Sequence, residues 1–331
     1  MYNVHKSSNP VNFGLIILCI IIKSMGCIEL TCKESENMVH KKFLIIITLI
    51  LFDAAAICGI LSYKGGIGNR INPENSNSEE KNINKKNNQN SLKDRTFTGK
   101  NLKYNNQSVP VLYYHSIEYE KGNELRLPKE KFREQMKFLK ENGYTTLTMN
   151  ELYDFLAHDK PVPDKSVVIT FDDGYRDNYE NAFPILKEFG FKATIFIITS
   201  TIDKEEDFLT SNQLKEMERY GIDIESHTVN HDKLDRLSYD KQLYTLKNSK
   251  EFLEKLLNRK IYYFAYPYGE WNENTIKALK NAGYKMAFTT ESGWANKNKG
   301  LYRLNRVYVS ANHSMAEFER RLANEKYDIS E

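Results

Sequence analysis

From residue 109 onwards, short apolar runs alternate along the chain with longer amphipathic stretches. An apolar run of a few residues that ends at a turn signal is typical of a buried parallel strand, whereas apolar residues that recur every three or four positions are typical of a helix. The runs predict strands at 109–115, 144–147, 166–171, 193–198, 222–225, 261–265, 285–289 and 304–309. The amphipathic stretches predict helices at 128–143, 149–157, 178–189, 211–220 and 273–282, a long helix after Ser238 and a terminal helix after Ser314.

Strands that alternate with helices indicate an α/β fold with a parallel sheet and right-handed crossovers. Seven or eight such units predict a closed or nearly closed (β/α) barrel. Barrels of this kind place their chemistry at the carboxyl ends of the strands, so polar residues that directly follow a strand are the first candidates for a site.

The chain before residue 109 has a different character. Residues 43–61 form a nineteen-residue apolar run in which Asp53 alone is charged, a length that suits a membrane anchor better than a cleaved signal core. Lys41 and Lys42 precede the run and favour a cytoplasmic N-terminus. We therefore predict a transmembrane signal anchor at 38–62. Cleavage near the small residues 54–56 stays open as an alternative.

Residues 1–37 form a doubtful N-terminal extension, with Met38 as the expected biological start; a real two-segment N-terminus is the alternative. Residues 63–108 are dominated by Asn, Lys, Ser and Glu. Such a segment buries too little apolar surface to offset its ordering entropy, which predicts a disordered linker. The linker would hold a domain at 109–325 away from the membrane.

Composition narrows the possible functions. The hydrophobic fraction of 40% and the charged fraction of 27% are those of an ordinary globular protein. A net charge of +3, with no basic cluster on one element, argues against nucleic acid as a partner. All four Cys precede residue 60, so the predicted domain contains no disulfide and no Cys-based metal site.

Two polar clusters follow predicted strands. Asp172 and Asp173 come directly after the strand at 166–171, and Gly174 permits the bend that would bring both carboxylates to one site. A turn after a strand is the simpler interpretation of this cluster alone. His227 and His231 follow the strand at 222–225 at a spacing typical of metal ligands, and they share one face if the chain is helical there. Both clusters together favour a metal site.

One carboxylate and two imidazoles suit a divalent metal ion that keeps open positions and activates water. The same ligand set describes the non-haem iron oxygenases, which are the competing class of enzyme. The alternation of strands and helices argues against them, because those enzymes are usually double-stranded β proteins.

The stretches 170–174 and 226–231 resemble the first two motifs of the polysaccharide deacetylases, carbohydrate esterase family 4, which carry the NodB-homology domain. The resemblance covers roughly residues 109–322. It implies a distorted (β/α) barrel that hydrolyses acetyl groups, mainly N-acetyl, from a cell-envelope or extracellular polysaccharide and releases acetate. It also implies one divalent ion, zinc first and cobalt, nickel or manganese otherwise, held by Asp173, His227 and His231. Asp172 would remain off the metal and act as the general base.

The stretch 264–269 resembles the third motif, with one departure. The family has an Arg at the position of Ala265, where it orients the base. Arg306, on the last strand, is the candidate to supply the missing charge. By resemblance, the backbone N–H of Tyr268 would serve an oxyanion hole, and Tyr266 and Pro267 would contact substrate.

Trp294 matches the fourth motif, whose tryptophan lines the pocket for the acetyl methyl group. The fifth motif, which carries a catalytic His near the C-terminus, has no clear match. His115, at the end of the first predicted strand, is the preferred general acid, because some poly-N-acetylglucosamine deacetylases resemble this arrangement. His313 is the alternative, but it directly precedes the expected capping residue Ser314.

Two alternatives to N-deacetylation remain. One is an esterase that removes O-acetyl groups from xylan or another glycan. The other is a barrel that only binds glycan, which the departure at Ala265 and the missing fifth motif would favour. Under every alternative the expected partners are a polysaccharide and, through the N-terminal segment, the membrane.

The predicted anchor gives a first test. If residues 38–62 hold the domain on the outer face of the membrane, protease added to intact cells will release a soluble domain, because the polar linker is exposed to cleavage. Immunoblotting of the medium measures the release, with a cytoplasmic protein as the control for lysis. Complete protection of a domain that is still present would contradict the predicted location.

Overall fold

The computed structural model describes residues 95–327. Its strands are β1 Leu102–Lys103, β2 Val111–Tyr114, β3 Thr145–Thr146, β4 Val162–Pro163, β5 Ser166–Phe171, β6 Thr194–Ile197, β7 Asp223–Ser226, β8 Tyr263–Ala265, β9 Met286–Ser292 and β10 Leu304–Tyr308. Its α-helices are α1 Lys129–Glu141, α2 Met149–His158, α3 Phe183–Phe189, α4 Ser211–Tyr220, α5 Tyr239–Leu257, α6 Glu273–Ala282 and α7 Met315–Ala323.

Seven parallel strands close into a barrel in the order β2-β10-β9-β8-β7-β6-β5, and β5 pairs with β2 to complete the ring. The ring is distorted around β5. Only the last two residues of β5 pair with β6, whereas its first two pair with β3, which lies outside the ring. The predicted (β/α) barrel of seven to eight units is therefore confirmed as a seven-stranded barrel with one flanking strand.

The alternation of side chains along each strand divides the core into two layers. One buried cluster combines inward-facing residues of different strands, so it fills the barrel; the other lies between the strands and the surrounding helices. The barrel cluster includes Val111, Val168, Phe196, Ala265, Phe288 and Leu304. By the same alternation, Thr170 and Arg306 also face the barrel interior. Each lies two residues further along its strand than Val168 or Leu304, and so nearer to the carboxyl end of the barrel.

Local chemistry sets the ends of the helices. Thr148 and Thr210 each form a capping box at the start of α2 and α4, which satisfies backbone N–H groups that have no partner within the helix. Ser314 caps α7 by accepting from the Glu317 N–H. Ser238 precedes α5 as predicted, but its side chain forms no capping hydrogen bond. The helix predicted from 178 begins with a π-turn at Asn178–Ala182.

The domain begins earlier than composition predicts. Residues 95–108 fall within the predicted linker, yet β1 pairs with β4, and Arg95 donates from Nε and a terminal nitrogen to the Glu151 carboxylate at 2.7 Å. Composition missed this segment because its attachment depends mainly on backbone pairing and one ion pair, and Phe97 adds a single aromatic contact with the barrel cluster.

No helix between residues 95 and 327 is long and apolar enough to cross a membrane. The predicted anchor at 38–62, the doubtful extension at 1–37 and most of the predicted linker lie outside the described residues.

Candidate active site

The candidate site lies at the carboxyl end of the barrel. Asp172 and Asp173 directly follow β5, His227 directly follows β7, and His115 directly follows β2. Arg306 lies within β10, between β9 and β2 in the ring. Because all seven strands are parallel, their ends bring these residues together although they are far apart in sequence.

Asp172 forms a buried bidentate ion pair with Arg306. The two guanidinium nitrogens donate to the two carboxylate oxygens at 2.8 and 2.7 Å, and both side chains are almost completely buried. Burial by itself would raise the pKa of Asp172, but the charge and the hydrogen bonds of Arg306 outweigh it and lower the pKa to about 2. The carboxylate is therefore ionised at neutral pH and oriented through both of its oxygens.

Arg306 is itself fixed by the barrel wall. Its Nε–H donates to the Thr289 carbonyl at 2.9 Å, and a terminal nitrogen lies 3.3 Å from the Thr170 hydroxyl. The guanidinium carbon lies 4.4 Å from the Tyr113 ring centroid and 5.9 Å from that of Phe196.

The position of Arg306 can be compared with that of Ala265. Ala265 belongs to the same barrel cluster as Phe196, is fully buried, and pairs with Phe288 across the ladder. Ala265 on β8 and Arg306 on β10 therefore both belong to the barrel interior, and β9 lies between their strands.

Asp173, His227 and His231 form a set of three metal donors. Oδ1 of Asp173 lies 3.5 Å from Nε2 of His227 and 3.4 Å from Nε2 of His231, and all three donor atoms lie within 4.8 Å of one another. Donor atoms that share one tetrahedral zinc ion at about 2.1 Å lie about 3.4 Å from one another. Asp173 Oδ1 is buried and accepts no hydrogen bond within the described chain. The residues therefore fit a divalent ion.

A hydrogen bond sets the tautomer of His227. Its Nδ1–H donates to the Ala265 carbonyl at 2.7 Å, which leaves the lone pair of Nε2 directed towards Asp173. Burial lowers the pKa of His231 to about 4, with a contribution from His227, so His231 is neutral at physiological pH. A neutral imidazole is the form that binds a metal ion.

The donors lie on bends that the backbone holds in a sparsely populated conformation. The φ angles of Asp173, Thr228 and His231 are 70°, 69° and 57°, and each such residue costs about 1 kcal/mol or more. The two histidines therefore meet through a left-handed loop rather than along a helix face. Gly174 follows at φ 88°, where a Cβ would lie 2.7 Å from Ile197 Cδ1.

His115 faces the same site. It is partly buried, and its Nδ1 has no hydrogen-bond partner within the described chain. Burial lowers the pKa of His115, although the nearby carboxylates of Asp172 and Asp173 oppose this effect.

Sequence reasoning missed the residues that hold the His115 segment. Asp177 accepts hydrogen bonds from the Ser116 hydroxyl at 2.6 Å and from the Ile117 N–H at 2.7 Å. Asn178 donates to the His115 carbonyl at 2.8 Å. The available signal was the pair Asp-Asn shortly after the first motif, at the start of a helix.

His313 lies further from the donors. Its Nδ1 accepts from the Ser310 N–H at 3.3 Å, and its ring lies 5.9 Å from that of Tyr308. The ring centroids of Tyr308 and Tyr113 lie 5.1 Å apart, and those of Tyr113 and His115 lie 5.9 Å apart. Two tyrosine rings therefore separate His313 from His115.

The third-motif residues have different environments. Tyr268 is 53% exposed, and its ring lies 4.4 Å from that of His231. Its backbone has φ 60° and continues into Gly269, where any Cβ would overlap the Thr290 side chain. Tyr266 and Pro267 are both buried, and the Tyr266 hydroxyl donates to the Tyr302 carbonyl at 2.8 Å. Their contact with substrate stays a prediction.

Trp294 packs on the flank of the barrel. Its indole N–H donates to the Arg321 carbonyl at 2.9 Å, and Lys103 lies 5.8 Å from its ring. An indole N–H at a partly buried position requires an acceptor, and the end of α7 provides one. The contacts that the structure gives Trp294 do not place it against the three metal donors.

A family model described as polysaccharide deacetylase matches residues 159–287, a segment that contains both carboxylates, both metal-spaced histidines and the third motif. A bacterial relative is 45% identical over 210 residues and is covered over 74% of its length. The chain therefore belongs to the polysaccharide deacetylase family.

That relative is YxkH of Bacillus subtilis, whose name places it among the polysaccharide deacetylases; the match covers 63% of this chain. A poly-β-1,6-N-acetyl-D-glucosamine N-deacetylase of Staphylococcus aureus is 31% identical over 238 residues, which cover 64% of this chain and 82% of the relative. Among solved structures, a Streptococcus pyogenes deacetylase, PplD, in complex with acetate is 34% identical with a TM-score of 0.62. That match covers 65% of this chain and 98% of the other.

The relocated arginine gives a second test. Arg306→Met should destabilise the fold by about 3 kcal/mol, because it leaves the buried Asp172 carboxylate without its partner. It should also lower turnover by about 10² or more, because a lost or misplaced base has an effect of that size. Urea unfolding and acetate release measure the two effects, and Arg303→Met, at an exposed position three residues away, is the matched control.

Adding Ala265→Arg to Arg306→Met should restore part of both losses, because it returns the guanidinium to the position that the family uses. Parental stability and activity in Arg306→Met would show that the ion pair does not orient Asp172.

Proposed function

We propose that this protein removes N-acetyl groups from a cell-envelope or extracellular polysaccharide and releases acetate. Poly-β-1,6-N-acetylglucosamine is the first candidate substrate. The observation that carries the proposal is the arrangement of two adjacent carboxylates: Asp172 is paired with Arg306, while Asp173 faces His227 and His231. The match with the Staphylococcus aureus N-deacetylase covers most of that protein's length, and this similarity supports the choice of substrate.

Asp173, His227 and His231 would hold the metal ion, with zinc first and cobalt, nickel or manganese as alternatives. When bound, the ion supplies a Lewis acid that polarises the acetyl carbonyl and acidifies water. Asp172 accepts the proton of the attacking water, because it is ionised and directly precedes the metal donor Asp173. Arg306 occupies both oxygens of Asp172 from the barrel side, which keeps this carboxylate from becoming a fourth protein ligand.

The other side of the reaction needs an oxyanion site and an acid. The backbone N–H of Tyr268 stabilises the developing oxyanion, and the left-handed conformation of Tyr268 and Gly269 fixes its direction. His115 gives a proton to the departing amine, because an amine anion is too poor a leaving group to depart unprotonated. The carboxylates of Asp172 and Asp173 oppose the effect of burial on the pKa of His115 and so favour the protonated form that an acid requires.

The alternatives are weaker on this site. Membership in the deacetylase family argues against an iron oxygenase. A barrel that only binds glycan was motivated by Ala265, but Arg306 supplies the guanidinium that Ala265 lacks. An O-acetyl esterase uses the same residues, so substrate comparison separates it from the N-deacetylase.

We also propose that residues 38–62 anchor the protein in the cell membrane with the domain outside, in the compartment of envelope polysaccharides. The apolar run at 43–61 and the two preceding lysines support this location.

Substrate release and metal content test the proposal together. The metal-loaded protein should release acetate from β-1,6-linked N-acetylglucosamine oligomers faster than from acetylated xylan, and chelation should stop it. Asp172→Asn should retain about one ion per chain and lose about 10²–10⁴ in rate, whereas Asp173→Asn should bind metal more weakly. Elemental analysis and an acetate assay measure both. Equal metal loss in the two variants would contradict their separate roles, and preferential release from xylan would favour the esterase.

The assignment of the general acid is tested separately. His115→Ala should lower turnover on N-acetyl substrate by about 10² or more with unchanged metal content. Turnover of an O-acetyl ester should fall less in the same variant, because an alkoxide leaves more readily than an amine anion. His313→Ala is the matched control, since two tyrosine rings separate it from His115. An active His115→Ala beside an inactive His313→Ala would transfer the role to His313.

A further inference from the structure

Three polar side chains of one short segment hold the loop that follows β2. The segment begins at Asp177, four residues after the metal donor Asp173, and includes Asn178 and Asn181. Asp177 directly precedes the π-turn Asn178–Ala182, and turns of this rare form are frequent at functional sites. None of the three side chains has a part in the chemistry proposed above, so their arrangement needs its own explanation.

Asp177 binds two successive residues of the loop. Its carboxylate accepts from the Ser116 hydroxyl at 2.6 Å and from the Ile117 N–H at 2.7 Å. All three residues are buried. A buried hydroxyl or N–H group without a partner is unfavourable, so the loop cannot move away from this carboxylate without a cost.

The two asparagines bind carbonyl groups of the same loop. Nδ2 of Asn178 donates to the His115 carbonyl at 2.8 Å and to the Asp177 carboxylate at 3.1 Å. Nδ2 of Asn181 donates to the Ile117 carbonyl at 2.9 Å. One turn of the chain therefore holds both ends of a loop that is only three residues long.

These contacts fix His115 relative to the two acids that follow β5. On its other side, the carbonyl of Tyr114 accepts from the Asp172 N–H at 2.9 Å. The chain and these hydrogen bonds form a closed ring, which runs from Asp172 through residues 173–177 to Ile117 and back through His115. The backbone of His115 is thus held at a set distance from the metal donors.

We propose that the segment 177–181 positions His115 for proton transfer to the departing amine. Its three polar side chains hold the backbone of His115, and a misplacement of about 1 Å in a catalytic group can lower a rate by about 10². This role of the segment rests on the proposed function, in which His115 is the general acid, and it adds the residues that keep this acid in place.

Leaving groups provide the test. In the zinc-loaded full-length protein, Asp177→Ala should lower turnover on β-1,6-linked N-acetylglucosamine oligomers by about 10-fold or more, because the acid is no longer held in place. Hydrolysis of 4-nitrophenyl acetate should remain almost unchanged, because 4-nitrophenolate leaves without a proton. Unchanged ester hydrolysis and metal content also show that the variant is folded.

Two further variants separate positioning from other effects. Asp177→Asn should recover part of the N-acetyl turnover, because its amide oxygen still accepts from the Ile117 N–H. Glu180→Ala, which removes an exposed acid from the same turn, is the matched control and should behave as the parent. Parental N-acetyl turnover in Asp177→Ala, equal losses on both substrates, or loss of metal would overturn the positioning role.

Hydrogen exchange gives a measurement that needs no deacetylation. Asp177→Ala should speed exchange at the Ile117 N–H by about 10-fold or more, since the variant removes its charged acceptor, with the amides of β7 unchanged. If the parent released acetate from no N-acetyl substrate, the proposed function would fail. Faster exchange at Ile117 would then still support the hold of the segment on the His115 loop, and an unchanged rate would overturn it.

Discussion

The buried pair between Arg306 and Asp172 is the interaction on which the site depends. Removing two charges from water costs several kcal/mol per ion, and this cost is recovered only with good geometry and further hydrogen bonds. Both conditions hold, because the pair is bidentate and Arg306 also donates to the Thr289 carbonyl. The result is an ionised carboxylate with a fixed orientation, next to a second carboxylate that is free to bind metal.

The barrel provides the rigidity that this arrangement requires. Asp173 and His231 adopt left-handed backbone conformations, and such residues persist only where the surrounding structure determines them. Adjacent parallel strands hold the preceding residues, and the Asp172 N–H donates to the Tyr114 carbonyl at 2.9 Å. The bend after β5 therefore gives two neighbouring acids different partners, Arg306 for Asp172 and the two histidines for Asp173. On a straight strand the two side chains would point to opposite faces of the sheet.

Much of this could be predicted from sequence, because apolar runs report burial directly. The strand that leads to Asp172, the histidine spacing and the charge on Arg306 were all visible in the pattern of residues. The features that the sequence did not show depend on contacts between distant segments. The family position of Tyr266 gave no sign that its hydroxyl would donate to Tyr302, and Trp294 finds its acceptor on the last helix. The hydrogen bonds that Asp177 accepts from Ser116 and Ile117 were missed for the same reason.

A crystal structure of the zinc-loaded protein, with anomalous data at the zinc edge, tests the division between the two acids most directly. We expect one peak bound by Asp173 Oδ1, His227 Nε2 and His231 Nε2, with the Asp172 carboxylate still paired to Arg306 through both oxygens. A zinc ion coordinated by Asp172, or a peak away from these three donors, would contradict it.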